Sequence, residues 1–154
     1  MKTKGIRILD KKDGVGCVEL PDILKEISNG DTFYWSILYL YASGDLGDGK
    51  SIPVFEKEIN DSARGLFIKW NELNLISKKF FQVIDIIIIG CKDQNLLRRY
   101  KNDQEMYETC DIFINMFDSW FWEIFSKDEQ LINRFAAKFK KIELLESNFL
   151  NLEK

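Results

Sequence analysis

Three carboxylates lie in or beside apolar runs that could bring them to one face of a sheet. Asp85, Asp111 and Glu123 are these residues, and a pair of carboxyl groups held at a fixed separation can hydrolyse a glycosidic bond. The chain has 25 acidic residues, so solvated or edge-strand charge remains the alternative interpretation. Because there is no histidine, Ser-His-Asp and Cys-His catalysis and histidine metal sites are excluded.

Metal and cofactor sites find little support in the sequence. The loop containing Asp45 and Asp48 faintly resembles a calcium loop, but it lacks the alternating oxygen ligands and the closing glutamate of an EF-hand. No G-x-G-x-x-G, P-loop or H-E-x-x-H pattern occurs. Cys17, Cys91 and Cys110 are widely spaced and odd in number, which argues against a zinc site or a disulfide framework. We therefore predict no cofactor and no metal, and structural thiols at Cys91 and Cys110.

Three adjacent aromatic residues, Trp120, Phe121 and Trp122, pose a different question. On a strand, alternation sends Trp120 and Trp122 to one side and Phe121 to the other. One side then belongs to the core, and the other either packs beneath a helix or faces a partner. Both interpretations of the second side stay open at this level.

The strands that would position these residues are indicated by apolar alternation. The first, over residues 32–43, places Phe33, Trp35, Ile37, Tyr39 and Tyr41 on one predicted face. A polar loop follows over 43–51. Further strands are predicted over the ranges 65–70, 81–90, 108–117, 119–125 and 141–147, with a turn at Asp118-Ser119 and frayed residues at the end of the chain.

Helical spacing predicts three helices. One covers 20–28 and begins beside Pro21, and a second covers 71–80 with Asn71 as its N-cap. The third follows Ser126, which forms a capping box with Glu129. Residues 93–107 are polar, helical at best, and predicted to be exposed.

Strand runs interspersed with helices predict an α+β fold, built from a mainly antiparallel β-sheet with about three packed helices. At 154 residues, the chain has the length of a single domain, which we place at 1–154. A net charge of −3 argues against direct nucleic-acid binding and suits a basic partner better. No stretch resembles a signal peptide or a membrane span, so a cytoplasmic location without membrane contact is predicted.

The order of three segments resembles that of small bacterial immunity proteins encoded beside polymorphic toxins, including those of contact-dependent growth inhibition systems. The segments, within approximately residues 32–147, are WSILYLYASGDLGDGKS, GLFIKWNELNLISKKFFQVIDIIIIG and CDIFINMFDSWFWEIFSKDEQLINRFAAKFKKIELLES. Trp120-Phe121 is bulkier than the pattern of that family, which expects a small residue and one aromatic before Trp122-Glu123.

This resemblance implies a non-enzymatic antitoxin, or immunity protein, that binds and neutralises a cognate toxin domain, often a nuclease. Such inhibitors commonly meet the basic groove of a toxin with acidic and aromatic surface. The alternative is a regulatory or adaptor domain that binds a host protein or a small ligand. The sequence leaves the oligomeric state open.

No contact residue follows from the resemblance, so side-chain chemistry alone selects the candidates. They are acidic or aromatic residues, with one lysine, in three stretches predicted to be exposed: a loop, a polar segment and a hairpin end. The predicted partner-binding residues are Asp45, Asp48, Lys50, Asp103, Glu105, Glu108, Asp118 and Trp120.

Overall fold

The computed structural model describes residues 4–146, and its centre is one seven-stranded sheet. The strands are Lys4–Ile8 (β1), Lys11–Lys12 (β2), Val15–Gly16 (β3), Tyr34–Gly44 (β4), Leu66–Ile68 (β5), Phe80–Cys91 (β6), Ile112–Phe117 (β7), Phe121–Ser126 (β8) and Ile142–Glu146 (β9). The sheet order is β5-β4-β6-β7-β8-β1-β9, with every neighbouring pair antiparallel. Strands β2 and β3 form a separate small hairpin. The frayed end predicted for the last residues lies outside the described range.

Five α-helices accompany the sheet, which confirms the α+β prediction and corrects the number of helices. They are Leu20–Leu24 (α1), Ile52–Asp61 (α2), Trp70–Ser77 (α3), Asp103–Thr109 (α4) and Glu129–Lys138 (α5). Helix α2 was not predicted, although Ser51 caps it by accepting from the backbone N–H of Val54. No helix within residues 4–146 is long and apolar enough to cross a membrane.

The first face of the sheet carries the main core. Helices α1, α2, α3 and α5 contribute buried side chains that pack against it. Every central strand supplies a fully buried residue: Ile37 from β4, Ile88 from β6, Ile114 from β7, Ile124 from β8 and Ile6 from β1.

A β-bulge in β4 overturns the predicted alternation of that strand. The register with β6 shifts between Ile37 and Tyr39, so Leu38 is an extra residue and every later side chain changes face. Leu40 and Ala42 therefore enter the main core, whereas Tyr39 and Tyr41 are exposed on the other face. Trp35 and Ile37 keep their predicted side.

Helix α2 replaces a neighbouring strand where the short β5 ends. The Asn60 side chain accepts from the backbone N–H of Leu40 at 3.1 Å and donates to its carbonyl at 3.3 Å. Two residues further along β4, the Glu56 carboxylate accepts from the N–H of Ala42 at 2.9 Å. Side chains thus satisfy the backbone of β4 at a position where an open edge could pair with another chain.

Two predicted helix caps are wrong. Helix α5 is capped by Asp128, which accepts from the N–H of Gln130, because Ser126 is still part of β8 and instead accepts from the N–H of Asp128. Helix α3 already begins at Trp70, so Asn71 lies inside it. The strand predicted over 108–117 starts only at Ile112, because Glu108 belongs to α4.

Candidate functional site

The second face of the sheet is covered at one end. One row of side chains runs across six strands, and each member is buried: Ser36, Ile89, Phe113, Phe125, Gly5 and Leu145. Residues 93–110, which we name the cover, lie over this row and include α4. Tyr107 of the cover stacks on Phe125 with ring centroids 4.1 Å apart. A Cβ at Gly5 would meet the Phe125 ring at 2.6 Å, so glycine makes this close packing possible.

Two arginines fasten the cover to the rest of the molecule. Arg99 donates to the carbonyl of Leu38 in the bulge at 2.6 Å, and to that of Ile59 near the end of α2 at 2.9 Å. Arg64 donates in the opposite direction, from the segment after α2 to the cover, at 2.6 Å to the carbonyl of Leu97. Leu97, Met106 and Tyr107 are buried, which corrects the predicted exposure of 93–107 at these positions. Polar residues of the segment such as Lys101 and Asp103 are exposed as predicted.

The other end of the second face is uncovered, and we name it the open half-face. The strand register places its side chains in two rows. The first row, from β4 to β9, is Tyr39, Ile87, Asn115, Glu123, Arg7 and Glu143. The second row is Tyr41, Asp85, Phe117 and Phe121.

Aromatic rings dominate the exposed part of the open half-face. Tyr41 and Phe117 are each 51% exposed, and Trp120 at the adjoining hairpin tip is 55% exposed. The rings of Phe117 and Phe121 stack with centroids 5.6 Å apart. Tyr41, Phe117 and Phe121 project from strands that have a neighbouring strand on each side in the sheet, so exposed rings are held here on an ordered backbone.

Charged groups of the open half-face are arranged around one guanidinium. Arg7 donates to the Glu123 carboxylate from Nη2 at 2.7 Å and from Nε at 3.0 Å. Its Nη1 lies 3.6 Å from Glu143, and its Cζ lies 4.6 Å from the centroid of the Phe121 ring. The carboxylates of Asp85, Glu123 and Glu143 share this surface with Arg7, and Glu123 is buried beneath its ion pair with Arg7. The Lys11 ammonium lies 5.6 Å from the centroid of the Trp120 ring at the adjoining hairpin tip. Acidic groups therefore outnumber basic groups here by three to two, so the open half-face is weakly acidic.

The β7–β8 hairpin tip folds against β6 beside this surface. Asp118 and Ser119 have positive φ values of 50° and 56°. The N–H of Asp118 donates to Asp85 Oδ1, and the N–H of Ser119 donates to the carbonyl of Ile84, both at 2.8 Å. The predicted turn is confirmed, with Trp120 as a third turn residue.

The predicted shared direction of Trp120 and Trp122 is therefore wrong, because only Trp122 is on the strand. It is buried in the main core, where its indole N–H donates to the carbonyl of Val18 at 2.8 Å. Phe121 lies on the second face, as alternation predicts.

The structure separates the predicted partner-binding residues into three places. Asp118 and Trp120 border the open half-face. Asp45, Asp48 and Lys50 are in the loop that follows β4, where the Asp45 carboxylate accepts from the N–H of Gly47.

The remaining three predicted residues, Asp103, Glu105 and Glu108, are on α4 in the cover. Glu105 pairs with Arg98 at 3.1 Å, and Glu108 accepts from Gln104. Burial raises the pKa of Tyr107 above its usual value, and the nearby charges of Asp103 and Glu123 raise it further.

The three candidate carboxylates for hydrolysis are not brought together. Asp111 accepts from the N–H of Lys92 at the far end of the sheet, roughly 20 Å from Asp85 by the rise of the intervening strand residues. Glu123 is engaged by Arg7. This arrangement gives no pair of carboxylates flanking a common cleft.

The thiols of Cys91 and Cys110 are both buried beneath the cover. A hydrogen bond between the two, together with burial, raises the pKa of the Cys91 thiol, and the same hydrogen bond lowers the pKa of Cys110. Between residues 4 and 146, no group of three or more His, Cys, Asp or Glu side chains could hold a metal ion.

Most residues of the open half-face were not among the predicted contacts. Phe117, Phe121 and Arg7 alternate with core residues in their strands, and this alternation is visible in the sequence. The sequence does not indicate that the cover ends two residues before Arg7 and four residues before Phe117 and Phe121 along their strands. Neither a scan of protein-family models nor searches of curated proteins and of solved structures give a match to this chain.

Proposed function

We propose that this protein is an immunity protein that binds and neutralises a cognate toxin domain, and that the open half-face is its contact surface. The observation that carries the proposal is an uncovered sheet surface on which exposed aromatic rings lie among carboxylates. The resemblance of the sequence to immunity proteins suggests the class of partner. The side-chain chemistry of the surface suggests how the partner is bound.

The aromatic residues suit a protein partner. Tyrosine and tryptophan are enriched among the residues that dominate binding energy at interfaces. Tyr39, Tyr41 and Trp120 are exposed around this surface. Because the strands beneath are fixed by their neighbours, binding orders little backbone and loses little entropy.

The charge of the surface favours a basic partner over nucleic acid. Asp85, Glu123 and Glu143 outnumber Arg7, and phosphate groups would be repelled where a nucleic acid needs cations. A toxin that acts on nucleic acid carries a basic groove, and opposite potentials accelerate encounter with such a groove. The proposal therefore favours a nuclease domain as the toxin.

Co-expression tests the function. The C-terminal domain of a large toxin encoded beside the gene for this protein is expressed in a sensitive host, with or without the protein. We expect growth only when the protein is present, and purified protein and toxin domain should form a complex. Failure to restore growth against every such neighbouring domain would overturn the proposal. Capture of a non-toxic host protein instead would establish the adaptor alternative.

A matched pair of double variants tests the surface. Tyr41→Ala with Phe117→Ala removes two rings from the open half-face. Val54→Ala with Leu75→Ala removes two comparably exposed apolar side chains from α2 and α3 on the opposite side of the sheet. The first double variant should lose protection while the second keeps it. Equal protection by both would place the contact surface elsewhere.

A further inference from the structure

The open half-face already holds one arginine of the protein itself, and this contact identifies the chemistry the surface accepts. The Arg7 guanidinium lies over the Phe121 ring and forms hydrogen bonds to Glu123 through two nitrogens. A planar cation is thus held by an aromatic face and a carboxylate together, an arrangement that suits guanidinium better than ammonium.

An aromatic ring and a carboxylate also lie together on the neighbouring strands β6 and β7, where the described chain places no cation between them. Phe117 stacks beside Phe121, and extending the β6–β7 register by one residue places Phe117 next to Asp85. Tyr41 is directly opposite Asp85 on β4. Within residues 4–146, the Asp85 carboxylate forms no ion pair, and its one hydrogen bond is accepted through Oδ1 from the N–H of Asp118. Asp85 is half-buried, and its second carboxylate oxygen, Oδ2, has no hydrogen-bond partner in this part of the chain.

We infer that Asp85, Phe117 and Tyr41 form a subsite for an arginine side chain of a protein partner. The inference rests on the proposed function in that it names the group by which a basic partner is recognised at the same surface. The guanidinium would donate to Asp85 Oδ2 and lie against the ring of Phe117, parallel to the way Arg7 lies against Phe121. Two arginines, one from each protein, would then flank the Phe117–Phe121 stack.

Nucleobases could also stack on exposed rings of a sheet, but the charges disfavour them here. A strand of nucleic acid lying across Phe117 would bring its phosphates toward Asp85 and Glu123. Arginine suits the subsite better than lysine, because a planar guanidinium can stack closely on a ring while donating to a carboxylate through two nitrogens. Arg7 lies 4.6 Å from the Phe121 centroid, whereas the ammonium groups of Lys11 and Lys138 lie 5.6 and 5.7 Å from their rings.

Binding of short peptides to the full chain tests the subsite. The probes are an arginine hexapeptide, a lysine hexapeptide and a single-stranded oligothymidine. Their binding is measured at low salt from the NMR signals of the aromatic side chains. We expect the arginine peptide to bind about three-fold or more tightly than the lysine peptide, as cation–π contact adds to charge. It should shift the resonances of Phe117 and Tyr41. Equal affinities, or tighter binding of the oligothymidine at these rings, would overturn the inference.

Three variants test whether the binding depends on Asp85 and Phe117. Asp85→Asn keeps an oxygen that can accept from the N–H of Asp118 while removing the charge, and it should weaken arginine-peptide binding about three-fold or more. Glu58→Gln, which removes an exposed charge from α2, should leave it unchanged. Phe117→Leu should abolish the preference for arginine over lysine. Equal effects of the Asp85 and Glu58 substitutions would assign the binding to overall charge and remove the subsite.

The outcomes separate this inference from the proposed function. Loss of the arginine preference with intact neutralisation of a toxin would leave the immunity proposal standing with a different contact. A retained arginine preference without any neutralised toxin would keep the subsite and point to another basic protein as the partner.

Discussion

The two halves of the second face are built from the same strands but differ in every property that matters for function. In the covered half, β7, β8 and β9 contribute Phe113, Phe125 and Leu145. Two residues along the same strands, the corresponding positions are Asn115, Glu123 and Glu143. Strands β7, β8, β1 and β9 keep one unbroken register through both halves, so along these strands the side-chain types distinguish the covered half from the open one. The half left open is where a partner can bind without competing with the fold.

The largest difference is expected for the phenylalanines of the covered half. Phe125→Ala removes a buried ring that stacks on Tyr107, and it should lower the free energy of unfolding by about 3–5 kcal/mol. Urea denaturation followed by fluorescence measures the change. A loss below about 1 kcal/mol would mean that the cover packs too loosely for the two halves to differ as described.

Detaching the cover should have the next largest effect. Arg99→Ala leaves the carbonyls of Leu38 and Ile59 without their charged donor, and we expect a loss of about 2 kcal/mol in the free energy of unfolding. Its neighbour Arg98 forms a surface pair with Glu105, so Arg98→Ala should cost no more than about 1 kcal/mol. Hydrogen exchange of α4 amides should accelerate in the first variant only. Similar results for both would show that Arg99 does not hold the cover.

Alkaline pH should weaken the covered half selectively. Burial raises the pKa of Tyr107 above its unfolded value of about 10. Its contribution to stability is therefore complete below pH 10 and declines as pH rises further, by about 1.4 kcal/mol per pH unit until the folded-state pKa is reached. Burial also raises the pKa of Tyr100 in the cover, which adds a second such contribution.

Tyr107→Phe removes the first of these contributions. Denaturation midpoints measured between pH 9 and 11 should fall less steeply in this variant than in the wild type. If the midpoint falls with pH equally steeply in both proteins, the Tyr107 hydroxyl is accessible to solvent. The covered half would then be less well shielded than described.

The smallest effect is expected in the open half. Phe117→Ala removes a ring that is half exposed, so the free energy of unfolding should fall by no more than about 1 kcal/mol. The same urea experiment used for Phe125→Ala measures it. A loss as large as that of Phe125→Ala would make Phe117 a structural residue and weaken its proposed role in binding.

Elements with strong local patterns were predictable from the sequence. Helical spacing predicts an apolar stripe on α5 at Leu131, Ile132, Phe135 and Phe139; the first three are buried, and Phe139, just after the helix ends, is half-buried. The turn at Asp118-Ser119 and the central strand β6 also follow from residue chemistry. In each case, the residue pattern that predicts the element lies within one short segment of the chain.

Features that depend on distant parts of the chain were not predictable. The bulge at Leu38 is stabilised by Arg99, a residue far along the sequence, and it moves Tyr39 and Tyr41 to the open half-face. The capping box at Ser126 fails because β8 continues through that residue, where it pairs with Lys4 and Ile112. Of the predicted partner-binding residues, only Asp118 and Trp120 border the open half-face. Acidic side chains indicate which residues are exposed, but they do not indicate which face of a sheet is left uncovered.

The position of β1 has a consequence for the order in which this protein folds. Ile6 pairs with Ile124 on one side and with Leu144 on the other. During synthesis, β1 stays without its sheet partners until the residues of β8 and β9, between 121 and 146, have been made. Such sequence-distant pairing slows folding because a long loop has to close before its contacts form. Newly made chains therefore spend time with β1 and its apolar side chains unpaired, and that interval is when they most need protection by chaperones.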